Sequence, residues 1–128
     1  MTLREVGIEN ARREAGKLLR RFGVESVNHV NVEGFAARLN IAIVEAPLDG
    51  ASAQLVVARG RASIVLSDRL TDPAARRRAI AHELGHYVLN HPSLPIGELC
   101  SPRVREPFAD QRDIEGEANG FAVGLLTP

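Results

Sequence analysis

A 128-residue chain with one cysteine, Cys100, cannot close a disulfide within itself, and such sparse use of cysteine suits a reducing compartment. Net charge is missing as well. Sixteen basic and sixteen acidic side chains cancel, so no overall field draws the chain toward nucleic acid or an anionic membrane surface. No apolar run reaches the ~20 residues that a bilayer span requires, and the N-terminus lacks a signal-peptide apolar stretch. Internal repeats and low-complexity segments are absent too. These absences argue against a disulfide scaffold, a general nucleic-acid binder and a membrane protein, and make a cytoplasmic location the expectation. What remains, 45% apolar and 25% charged residues, is an ordinary globular composition with length for one hydrophobic core. Residues 1–128 are therefore expected to form a single domain.

The chain is organised around His82-Glu83-Leu84-Gly85-His86, inside a run that reads as helix. Each residue advances ~100° about a helix axis, so His82 and His86 stand one turn apart on one face. Two imidazoles so placed can each offer a nitrogen to one tetrahedral Zn²⁺ at roughly 2.0–2.1 Å. Glu83 lies beside that pair, badly placed as a ligand of the same ion and well placed to act on a water there. Ile80, Leu84, Tyr87 and Val88 fall on the far side of the wheel, about 140–240° from His82. One side of the helix is thus expected to pack on a core while the histidines face something polar.

Apolar positions at three- and four-residue steps predict a first helix over residues 3–22, with Arg12, Arg13, Lys17, Arg20 and Arg21 on its solvated face among interleaved glutamates. A short second helix is expected over 32–39. Strands follow at 41–46, 53–58 and 62–66, the last two joined by Arg59-Gly60 as a hairpin. Asp72 as N-cap and Pro73 at the first helical position open the metal helix, expected to run to about Asn90 because Pro92 disfavours helix at His91. Arg76, Arg77 and Arg78 near its start oppose the helix dipole and read as a solvated turn. A proline-rich loop over 92–111 and a last helix over 113–126, capped by Asp113, complete an α+β arrangement. Its centre is a small, largely antiparallel three-stranded sheet packed on helices.

A catalytic zinc needs a third protein ligand beside an open position. The downstream candidates are His91, Cys100, Glu106, Asp110, Asp113, Glu115 and Glu117. The metzincin spacing requires histidine at position 92, which is Pro92, and His91 would face about 180° from His82 on a continued helix. Cys100 fits no recognisable ligand arrangement and reads as an idle thiol, while His29 has no assigned role. On the last helix Glu115, Ala118, Asn119 and Ala122 share a face. Small residues there would let that helix pack closely on the metal helix, so that Glu115 could reach the ion. Asn119, one turn on, could accept the second N–H of a ligating histidine. Glu117 points roughly 200° from Glu115, so only one of the two can ligate.

The histidine block, followed by Glu115-Gly116-Glu117-Ala118-Asn119-Gly120-Phe121-Ala122 and the ending Leu125-Leu126-Thr127-Pro128, resembles the ImmA/IrrE family of zinc metallopeptidases. The resemblance implies a zincin-like fold, zinc ligation by His82, His86 and Glu115, and Glu83 as catalytic base. It also implies a helix-turn-helix transcriptional repressor as the protein substrate. The family's block usually ends Leu-Leu-Met-Pro, so Thr127 departs from it. Members commonly continue further, so a C-terminal segment is expected beyond this chain.

Peptide hydrolysis by water activated at the ion is the activity this implies, with the edge of the 62–66 strand as a dock for extended substrate. No side chain stands out as donor to a developing oxyanion, since Tyr87, the only tyrosine, faces the apolar stripe. A non-catalytic zinc module that binds a repressor or a toxin–antitoxin partner is the alternative. Direct DNA binding is disfavoured by the cancelled charge and the lack of a recognition-helix signal.

Overall fold

The computed structural model describes residues 2–24, 30–91 and 113–127. Four helices and three strands follow in the order α1 (Leu3–Arg21), α2 (Val32–Arg38), β1 (Ile41–Ala46), β2 (Ala53–Ala58), β3 (Arg61–Ser67), α3 (Pro73–Val88) and α4 (Ile114–Leu126). The expected 92–111 loop, with Cys100, Glu106 and Asp110, lies outside the described residues, as does His29. Among the described residues no helix is long and apolar enough to cross a membrane.

The α+β class and the three-stranded sheet are as expected, but the sheet is mixed. Its order is β1-β3-β2, with β2 and β3 antiparallel and β1 parallel to β3. The β2–β3 hairpin turns at Arg59 and Gly60, whose φ angles of 53° and 74° are both positive, as the tight primed turns require. β3 then returns between its hairpin partner and β1, and so runs in β1's direction. A three-strand pattern of alternating apolar residues is the same for either insertion, which is why periodicity did not reveal it. One consequence bears on function. β3 is the central strand, so its edges are taken, and the expectation that it docks a substrate is overturned; among the described residues the unpaired edges belong to β1 and β2.

Ile41, Leu55, Ile64 and Leu66 on the sheet pack with Phe35 of α2 and Ile80 and Leu84 of α3 in one core. α1 contributes Ala11, Ala15, Leu18 and Leu19, and burying each leucine stabilises the fold by about 1.5–3 kcal/mol. α4 packs on α1 and on α3. It is buried on two sides, through Ala118, Phe121, Ala122 and Leu125, because glycine and alanine let neighbouring backbones approach. A β-carbon added at Gly124, for instance, would stand 3.1 Å from Ala15 Cβ.

α3 begins as its sequence dictates, with Asp72 accepting from the Ala75 N–H at 3.0 Å and Pro73 in the first turn. Two of its three arginines are not on a solvated turn. Arg76 pairs with Glu45 of β1 at 2.6 Å and lies 3.6 Å from Glu33 of α2, while Arg77 donates to the Val30 carbonyl at 3.3 Å. Those partners come from elements 31 to 47 residues away, beyond the reach of a local reading.

α3 ends at Val88 rather than near Asn90. Leu89 is its C-cap, and Asn90 adopts a left-handed φ of 56°. The Asn90 N–H then bonds to the Tyr87 carbonyl at 3.2 Å and the His91 N–H to the His86 carbonyl at 2.9 Å. This is the Schellman pair that closes many helices, with asparagine tolerating the left-handed position. The turn folds His91 back beside the last helical turn.

Candidate metal centre

His82 and His86 project from α3 toward the N-terminal turn of α4. That turn is set by Asp113, whose side chain accepts from the Gly116 N–H at 2.9 Å, so that Glu115 emerges above the histidines. His82 Nε2 and His86 Nε2 are 3.1 Å apart. Glu115 spans them, with Oε1 3.0 Å from His82 Nε2 and Oε2 3.1 Å from His86 Nε2. On its other side, His82 Nδ1 is 2.8 Å from Asn119 Oδ1. An amide oxygen only accepts, so Nδ1 carries the proton and Nε2 keeps its lone pair for the shared point.

These atoms fit a metal ion. Donors bound tetrahedrally at roughly 2.0–2.1 Å stand about 3.3 Å from one another, close to the 3.1 Å between the two imidazole nitrogens, and Glu115 brings one oxygen to each of them. Basic nitrogens and carboxylate oxygens crowded this closely need positive charge between them. Burial lowers the pKa of His82, yet the hydrogen bond to Glu115 and the nearby carboxylates outweigh it and raise the value above 6.5. For Glu115 burial acts to raise the pKa, and the hydrogen bonds and charges of the two histidines override it, holding the carboxyl far below its ordinary range.

By proximity alone His82, Glu83 and His86 also form a group that could hold a metal ion, with donor atoms within 4.8 Å of one another. Glu115 lies closer to His82 than Glu83 does. Glu83 comes no nearer to His82 Nε2 than 3.9 Å, whereas Glu115 reaches both imidazoles. Glu83 is almost wholly buried, 2% exposed, and a hydrogen bond from the Leu55 backbone holds it against β2. Burial is the largest influence on it and raises its pKa above 4.5 despite the two histidines. A carboxylate beside the donors, poised to take up a proton, is what a general base needs.

His82, Glu83, Glu115 and Asn119 border a cleft of about 490 Å³ lined also by Ser52, Ala53, Leu70 and Arg78. Arg78 stands one turn before His82 and has no hydrogen-bond or ion-pair partner among the described residues. Its local spacing placed it on the histidine face, a signal that the dipole reading of the arginine run obscured. Tyr87 does not line this cleft and is packed, half-buried, against the core.

Two residues were read differently from the sequence. Glu117 is turned away from Glu115, as the helical wheel implies, but it is no idle surface carboxylate. It is buried, with Oε1 2.8 Å from His91 Nε2. His91, set aside as a ligand, lies with its Nδ1 2.9 Å from His86 Nδ1. The clue was the sequence Asn90-His91-Pro92, which ends a helix by a left-handed turn rather than continuing it.

Residues 36–128 match the family model described as the IrrE N-terminal-like domain of peptidase M78. No curated protein matches the chain in sequence.

Proposed function

The chain belongs to the peptidase M78 family, with its IrrE N-terminal-like domain, and from that membership and the site geometry we propose a regulatory zinc endopeptidase. The observation that carries this reading is the convergence of His82, His86 and Glu115 from two helices, with Glu83 beside them and not among them. Two imidazoles and a carboxylate with room for a further ligand suit zinc better than the harder divalent cations. When bound, zinc supplies a Lewis acid that polarises the scissile carbonyl and brings the pKa of water toward about 7.

The chain's own residues do the rest. Glu83 takes the proton of the attacking water and delivers it to the leaving amine, and the Leu55 N–H keeps its carboxylate aimed at the cleft. An extended peptide adding to the free edge of β2 would pass beside Ser52 and Ala53, which line the same cleft. Arg78 offers a guanidinium to the substrate there. The substrate class is the one the family resemblance implies, a helix-turn-helix repressor whose cleavage releases transcription in the cytoplasm.

One observation favours a second reading, a zinc-containing module that binds a repressor or a toxin–antitoxin partner without cutting it. Tyr87 is not among the residues that line the cleft, so it offers no oxyanion donor there. Incubating the zinc-loaded chain with a candidate helix-turn-helix repressor separates the two. The peptidase reading predicts a defined fragment that Glu83→Gln abolishes while zinc content is kept. A stable complex and no fragment supports the second reading.

A further inference from the structure

The proton arrangement behind His86 is fixed once its Nε2 is committed to a metal, and it runs through two residues that the reading above leaves without a role. A neutral imidazole ligating through Nε2 carries its hydrogen on Nδ1. His86 Nδ1–H therefore donates to His91 Nδ1, 2.9 Å away. His91, accepting on Nδ1, carries its own hydrogen on Nε2 and donates it to Glu117 Oε1 at 2.8 Å. Each link points the same way, toward a carboxylate that only accepts.

The fold encloses this relay. The His91 side chain is 0% exposed and that of Glu117 5%. The backbone turn at Asn90 brings the His91 ring to His86, α4 supplies Glu117, and α1 closes over it at Gly7, where a β-carbon would collide with the Glu117 carboxylate. Solvent cannot substitute for either partner.

We propose that His91 and Glu117 are positioning residues for the metal: they lock the His86 tautomer and ring angle and make its Nε2 a stronger donor. This rests on His86 being a ligand. It also makes the two histidines unequal. His82 is braced by a neutral amide on the exposed residue Asn119, whereas His86 is backed by a buried imidazole and an anion. Partners of this kind typically change metal affinity 10–100-fold.

The test measures zinc affinity of the full chain by competition with a chromophoric chelator, alongside ¹⁵N spectra of the zinc-loaded protein. His91→Phe should weaken binding 10–100-fold, Glu117→Gln by less, and Asn119→Ala by less than His91→Phe. Wild-type protein should show scalar coupling between His86 Nδ1 and His91 Nδ1 across the hydrogen bond, which a packing role alone would not produce. Absence of that coupling overturns the proposal. So does affinity within twofold of wild type in a folded His91→Phe or Glu117→Gln variant. If His91→Phe does not fold, the wild-type coupling and the milder Glu117→Gln decide. Zinc binding that is indifferent to His86→Ala would fail the ligand assignment itself, a distinct result that removes the relay's purpose with it.

Discussion

Gly85, between the two histidines of α3, lies directly under the backbone of Ala118 in α4. A β-carbon at Gly85 would stand 3.1 Å from the Ala118 carbonyl oxygen, 3.2 Å from its Cα and 3.1 Å from Phe121 Cβ. The contact sets how closely the two helices approach, and therefore where Glu115, three residues before Ala118, meets the imidazoles.

Gly85→Ala should consequently do two things. Overpacking against a backbone that cannot yield should cost about 1–3 kcal/mol in chemical denaturation. Pushing α4 outward should also weaken zinc binding, although no donor has been changed. Unaltered stability and affinity would mean that the helices are free to separate without consequence.

Removing Glu115 should be more drastic. Glu115→Ala takes away the one carboxylate that spans both imidazoles, so zinc should no longer copurify or survive dialysis, as read by elemental analysis. Glu83→Gln should retain the metal at one equivalent and lose peptide cleavage. Equal zinc content in both variants would contradict the division of labour between the two glutamates.

Glu83 also predicts a pH dependence in the metal-free chain. Its pKa is raised on folding, chiefly by burial, so between its ordinary value of 4.5 and its folded value the folded state holds a proton that the unfolded state has released. Stability therefore falls as pH rises through that window. Glutamine has no such proton. Metal-free Glu83→Gln should be more stable than wild type at neutral pH by on the order of 1 kcal/mol, the usual gain from relieving a functional site. The difference should vanish below pH 4.5. A variant less stable than wild type at neutral pH would show that the buried carboxylate is not a cost to the fold.

Arg78 is predicted to serve the substrate and not the metal. Arg78→Ala should leave zinc content and thermal stability unchanged while lowering kcat/KM about 10–100-fold, the worth of a charge-assisted hydrogen bond. Loss of zinc in that variant would place Arg78 in a structural role.

Asn90 tests the helix ending. A β-branched residue at its φ of 56° is strained, so Asn90→Val should cost about 1–2 kcal/mol and loosen zinc by displacing His91, whereas Asn90→Gly should be tolerated. Tm and chelator competition distinguish them.

Much of this architecture could be read from local chemistry. His82 and His86 share a face because four residues make a turn, Asp72 and Pro73 announce α3, and Arg59-Gly60 announces the hairpin. Ala118 and Ala122 were recognisable as a close-packing surface of α4, and Asn119 as a residue one turn beyond Glu115. What resisted reading depends on long-range placement. The parallel pairing of β1 with β3 leaves the alternation of apolar residues unchanged. The Arg76–Glu45 pair joins positions 31 residues apart. Treating the metal helix as continuing past Leu89 aimed His91 the wrong way, and Glu117 could not then be seen as its partner.

The central claim is that His82, His86 and Glu115 hold one zinc ion and leave a position open. Anomalous diffraction at the zinc absorption edge from crystals of the zinc-loaded chain tests it most directly. The account predicts a single strong peak about 2.0–2.2 Å from His82 Nε2, His86 Nε2 and a Glu115 oxygen, with no other protein atom completing the shell. A peak ligated by Glu83 in place of Glu115, or none between these side chains, would contradict it.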